Sequence, residues 1–189
     1  MKKHCSLLLW LVVLSVSFAF IAAAAAQTKE RSYTLPDHGV FQMKVPASWK
    51  DEVLEPTDKR MPPRIVLKPA SGDLFQILIT PFWKASEDAP SLSDTMARQM
   101  VQRAVEAAQP NAAEKTLKIV ELQGATGRGY YFFATDKAPE QGSYKFLTQG
   151  ILPVGELAVA FTILTNDAKK DVESAALTML RGATQIPAK

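Results

Sequence analysis

Histidine and cysteine, the side chains that most often carry nucleophilic, general-base and zinc chemistry, are almost missing from this chain. Its 189 residues contain two histidines, His4 and His38, and one cysteine, Cys5. His4 and Cys5 precede a long apolar run, and His38 stands alone in Pro36-Asp37-His38-Gly39, a cluster that reads as a turn. An ordinary zinc site lacks its ligands, and a Ser-His-Asp triad would have to use His38 without any Gly-x-Ser-x-Gly elbow. Carboxylates remain. Asp73, Glu121, Asp136, Glu140 and Glu156 fall at or near expected strand ends, where two acids sharing a cleft would separate each other's pKa values. No spacing selects a pair. Asp136 and Glu140 could share a calcium ion, but the loop has no regular EF-hand spacing. No metal, no cofactor and no catalytic residue is therefore expected.

Aromatic residues offer the better clue. Trp49 follows "FQMKVPAS", and Phe82-Trp83 follows the strand-ending Pro81. Aromatics beside loops are favoured binding anchors, so Trp83, Phe82 and Trp49 are the candidate partner-binding residues, Trp49 reading more readily as a plug beneath a sheet. The glycine-rich "GATGRG" (124–129) resembles a phosphate loop only superficially. Such loops join a strand to a helix N-terminus, whereas "KIVEL" and "YYFFAT" put strand patterns on both sides. It reads as a hairpin turn, its glycines supplying positive φ and Arg128 solvated at the tip.

The N-terminus places the chain in a cell. Lys2 and Lys3, the apolar run Leu7–Ala26 and Ala24-Ala25-Ala26 make residues 1–26 a secretory signal peptide of bacterial type. The apolar run, 20 residues, is also long enough to span a bilayer, so membrane association is expected only if the segment stays uncleaved. The periplasm is the expected location. Cys5 lies before the apolar run rather than at the cleavage point, so it is not a lipidation site, and the mature chain is cysteine-free. Its core alone must hold it in a compartment that permits disulfides. Residues 27–189 carry 20 Lys and Arg against 19 Asp and Glu, with no basic run of the kind that binds nucleic acid. Their length suits one domain.

The elements follow from periodicity. "SYTLPDHGVFQMKVP" predicts a hairpin, "DEVLEPTDKRMPP" a polar connection, and "RIVLKP" and "LFQILITP" two strands about the turn "ASGD". A helix starts at Ser91, with Asp94 in the capping-box position, and stops at Pro110. Its apolar stripe, Leu92, Met96, Met100, Val101, Ala104, Val105 and Ala108, is expected in the core. Strands are expected at 116–122, 129–135, 143–151 and 156–164, then a helix from Ala168 to Arg181, capped by Asn166 or Asp167 and ended by Gly182. "YYFFAT" and "LAVAFTIL" are apolar on both alternating faces, which predicts strands covered on both sides. The expected fold class is α+β: an antiparallel β-sheet covered by helices on both faces, an α/β/α sandwich.

"FQMKVPASWKDE", a strand ending in Val45-Pro46 with Trp49 three residues on, resembles an early element of the PsbP-like superfamily. The late segment "GILPVGELAVAFTILTNDAKKDVESAALTML" is similar to its closing strand pair and terminal helix. That superfamily includes photosystem PsbP proteins, Ran-binding Mog proteins and bacterial DcrB-type envelope proteins. The resemblance spans roughly Tyr33 to Thr184 and implies the same sandwich. It also implies a mostly non-catalytic protein that binds or helps assemble other proteins, here an unknown envelope partner. A small-molecule or lipid carrier with a cavity between sheet and helix, and a carboxylate-dependent hydrolase, are the alternatives.

Overall fold

In a computed structural model of the protein, residues 27–58, 60–86, 88–166 and 170–188 are described; the expected signal segment lies outside them. The first hairpin forms as its alternation demands. Strands β1 (Thr28–Leu35) and β2 (Gly39–Pro46) pair antiparallel, with Phe41, Met43 and Val45 buried between the more exposed Gln42 and Lys44. Asp37, at φ 60°, and Gly39, at φ 82°, make the turn. β3 (Trp49–Leu54), β4 (Arg64–Pro69) and β5 (Phe75–Phe82) follow, then α1 (Asp94–Ala108) and a short 3-10 turn at Gln109–Asn111. β6 (Val120–Gln123), β7 (Arg128–Thr135), β8 (Phe146–Val154), β9 (Leu157–Thr165), α2 (Lys170–Arg181) and β10 (Thr184–Ile186) complete the chain.

The strands form two antiparallel sheets rather than one. β10 returns to pair with β2, giving a three-stranded sheet in the order β1-β2-β10. The other seven run β3-β4-β5-β9-β8-β7-β6. On one face of the large sheet, here called the inner face, Ile65, Leu67, Ile77, Ile79, Phe161 and Ile163 pack in one core with β2 and with Ala176, Met179 and Leu180 of α2. On the outer face a second, smaller core joins Tyr130, Phe132 and Ala134 of β7 and Ile151 of β8 to Ala97, Val101 and Val105 of α1.

Several expectations change. The inner face is shared between α2 and the small sheet, not covered by helix alone. The strands expected to be covered twice are each buried on one side: Leu157, Val159, Phe161 and Ile163 of β9 inward, with Ala158, Ala160, Thr162 and Leu164 half-buried outward. β3 occupies part of what reads as a polar connection; it is an edge strand, and exposed charges at Lys50 and Glu52 suit that place. α1 is capped two residues later than expected, by Ser93, whose Oγ accepts from the Met96 amide at 3.2 Å. Asn166 Oδ1 accepts from the Lys145 amide at 3.3 Å, while the alternative cap Asp167 and the expected helix start at Ala168 lie outside the described residues.

The "GATGRG" segment is the β6–β7 turn, closed by the Gly124 amide donating to the Gly127 carbonyl at 2.9 Å. Its glycines do not take positive φ. They are needed because the hairpin presses on β8: a Cβ on Gly124 would lie 2.9 Å from the Leu152 side chain, and one on Gly127 2.7 Å from the Pro153 ring. Arg128 is not free at the tip but lies 3.6 Å from Glu121 and 3.9 Å from Asp94.

Candidate functional site

Phe82 and Trp83 adjoin in sequence and part on the surface. Alternation along β5 turns Pro81 inward and Phe82 outward. Phe82 is 38% exposed and lines a groove of about 350 Å³ with Leu54, Pro56, Met61, Pro62 and Arg64. Trp83 lies just past the strand and packs against the inner core. Its ring stacks on His38, with centroids 4.3 Å apart and planes 19° apart. The pair lines a polar cleft of about 330 Å³ with Asp37, Glu156 and Gln185. The Gln185 amide organises that cleft, accepting from the Glu156 backbone N–H at 2.8 Å and donating to the His38 carbonyl at 3.0 Å. Trp49 is 8% exposed and tilts against Phe75 at 4.8 Å; it sits in the inner core, away from both openings. The three aromatics that the sequence singles out thus occupy three separate places.

The strand-end acids do not converge. Glu121 pairs with Arg128, Asp136 accepts from the Ala138 amide at 2.9 Å, and Glu156 lines the cleft by Trp83. Glu114, outside that set, is clamped instead. Burial acts to raise its pKa, but hydrogen bonds from the Thr135 hydroxyl (2.6 Å) and amide (2.9 Å) outweigh it and hold the carboxyl below its ordinary range. Among the described residues no three His, Cys, Asp or Glu side chains gather as metal ligands.

The more extensive surface lies on the outer face. α1 spans only the β7–β8 half of the sheet, and its roll is fixed at its first turns. Tyr130 Oη donates to Asp94 at 2.9 Å, and the Arg98 guanidinium lies 5.8 Å over the Tyr130 ring. Through Arg128 this flank runs on to Glu121 of β6. Residues two apart in a helix lie roughly 160° apart around its axis. Met96, two from both Asp94 and Arg98, and Met100, two from Arg98, therefore turn away from β6, toward β9. They are 39% and 47% exposed, which corrects their expected place in the core; Ala97, Val101 and Val105 form the buried stripe.

Beyond the methionines the outer face is floored by small and half-buried side chains around Val66 of β4, which is 2% exposed. Ala158, Ala160, Thr162 and Leu164 of β9 and Leu78 and Thr80 of β5 lie half-buried, and the groove of Leu54, Met61 and Phe82 closes the far corner. Five of the ten exposed large apolar side chains among the described residues border this surface: Leu54, Met61, Phe82, Met96 and Met100. Sequence reasoning found only Phe82. A signal for the rest was present in "LAVAFTIL", where large residues alternate with Ala, Ala and Thr, small side chains that leave a shallow floor.

An N-terminal hairpin closed by a C-terminal strand, beside a seven-stranded antiparallel sheet with two helices, defines a protein of PsbP-like fold. The chain is similar to CyanoP, the PsbP of Synechocystis sp. PCC 6803, at 9% identity and a TM-score of 0.53, over 87% of this chain and 96% of that one. Weaker similarities reach LpqN of Mycobacterium tuberculosis, described as involved in cell envelope biogenesis (13% identity, TM-score 0.45, 85% of this chain and 92% of that one), and a Mog1 mutant (12%, 0.41, 82% and 85%). No protein-family model matches the sequence, and no curated protein is significantly similar to it.

Proposed function

We propose that the protein is an exported, non-catalytic module that docks an envelope protein on the half of its outer sheet face that α1 leaves uncovered. The gathering of Leu54, Met61, Phe82, Met96 and Met100 around that face carries the reading. Met and aromatic side chains around a shallow apolar floor, with Lys50, Arg64 and Lys68 at the rim, match the composition of protein interfaces. The signal-like N-terminus supports export to the periplasm, and the scarcity of His and Cys supports binding rather than catalysis.

The experiment is site-specific photocrosslinking in cells. Photoreactive residues at positions 82 and 100 are expected to capture the same protein, one at position 102 on the exposed side of α1 is not, and a Phe82→Asp/Met96→Asp double substitution abolishes capture. Equal capture from all three positions, or none above background, overturns the reading.

A further inference from the structure

The inner face breaks its own pattern at one point. Its buried side chains are otherwise apolar, yet Thr148, 3% exposed, and Thr165, 7% exposed, lie among them. They are the two buried polar residues among the described ones, and both line the same pocket. This pocket, about 270 Å³, lies between β7–β8–β9 and the first turns of α2, with Phe133, Phe146 and Ile163 as its apolar wall and Lys170 and Glu173 at its rim. The register explains the hollow. Thr148 sits opposite Phe133 on one side and Ile163 on the other, so a small residue lies between larger ones. Phe133 and Phe146, with centroids 6.0 Å apart, wall it in.

Stability alone does not select hydroxyls here. Valine has nearly the shape of threonine without a polar group to desolvate. Thr148 Oγ1 donates to Glu173 at 3.2 Å, and the Thr165 hydroxyl has no hydrogen-bonding partner among the described residues. Lys170 and Glu173, one helical turn apart, form no ion pair with each other or with any other described residue. The rim thus holds one charge of each sign, neither ion-paired among the described residues, over an apolar hollow.

We infer that this pocket binds a small zwitterion with an apolar body, namely a free apolar or aromatic α-amino acid. Glu173 and the hydroxyls receive the ammonium, Lys170 holds the carboxylate, and the side chain lies against Phe133, Phe146 and Ile163. A lone anion would face Glu173 unpaired; a lone cation would face Lys170 and also Lys145, whose Nζ lies 5.6 Å over the Phe146 ring. The volume falls just below the range of drug-sized sites, which suits a single amino acid and leaves no room for a lipid chain pair.

The test is titration of the purified protein with L-phenylalanine and L-leucine, followed by NMR at Phe133, Thr148 and Thr165. The comparators are phenethylamine, which lacks the carboxylate, and 3-phenylpropionate, which lacks the amine. Both amino acids are expected to bind, and each comparator is expected to be weaker by about tenfold or more, the value of one charged hydrogen bond. Glu173→Gln is expected to weaken phenylalanine but not phenylpropionate, and Lys170→Gln to weaken phenylalanine but not phenethylamine. Both side chains are at the rim, so unchanged thermal melting confirms that these variants fold. No shifts at those residues with about 10 mM amino acid, the weak end of binding, or either comparator binding as tightly as phenylalanine, overturns the inference. Crosslinking through position 100 is unaffected in either variant, since docking uses the opposite face.

Discussion

Tyr33 joins the two sheets through a single hydroxyl. It lies on β1 of the small sheet and donates to Asp51 Oδ2 of β3 at 3.1 Å, while Arg31 approaches the other oxygen at 3.4 Å. The Arg31 Nε beside this cluster is buried without a partner. Burial, and next the charge of Asp51, push the Tyr33 phenol well above its ordinary pKa. The sign follows from linkage. At alkaline pH the unfolded chain releases this proton near its ordinary value of about 10 while the folded protein keeps it. Stability is therefore full below that pH and falls as pH rises beyond it. Urea midpoints measured from about pH 8 to about pH 11 are expected to fall in the wild type and to fall less steeply in Tyr33→Phe. The substitution costs about 1 kcal/mol at neutral pH for the lost hydrogen bond. Parallel pH profiles would sink the assignment. None of this network shows in the sequence: its residues are scattered over β1 and β3, and only the meeting of two sheets brings them together.

At the scale of elements, periodicity reads the strands well and the helix face poorly. Phe41, Met43 and Val45, or Phe75, Ile77 and Ile79, declare a buried face because a strand has only two. A helix offers many angles. Met96 and Met100 run parallel to Ala97 and Val101 one residue away, and a stripe of Ala and Val beside a stripe of Met gives no sign of which one faces the sheet. β3 is hidden for another reason: edge strands carry charges, and charges read as loop. Glycines were legible as turns but not as close approaches. In β8, a Cβ on Gly150 would collide with the Tyr130 carbonyl oxygen, the Phe161 ring and the Tyr131 side chain. Gly142 has open space around it and only its φ of 86° to protect. Gly150→Ala is expected to destabilise by about 3 kcal/mol, the upper range for overpacking, and Gly142→Ala by about 1 kcal/mol. Denaturant unfolding of the two variants decides it: equal losses would mean that β7, β8 and β9 can spread to admit a methyl group.

Across the whole molecule, the contact that sequence reasoning was least able to supply is the return of the chain to its beginning. β10 is three residues long and carries no alternation that would mark it, yet it pairs Thr184 with Gln42 and Ile186 with Val40. Its central residue, Gln185, bonds the His38 carbonyl across 147 positions and the Glu156 amide across 29. One side chain thus ties the β1–β2 turn, the β8–β9 turn and the C-terminal strand together around the Trp83 cleft. Removing residues 184–189 leaves the buried Ala183 in place but strips β2 of one neighbour and orphans both backbone groups. The two cores define how the damage is distributed. β2 shares the inner core with α2, whereas the outer core of α1, β7 and β8 has no residue in the small sheet. Hydrogen exchange on the truncated protein is therefore expected to show lost protection at Val40–Gln42 and along β1, with Phe132 and Val101 retaining theirs. Loss of protection spread evenly over both cores would show instead that the two sheets open as one unit, and that β10 guards the entire fold rather than the hairpin it closes.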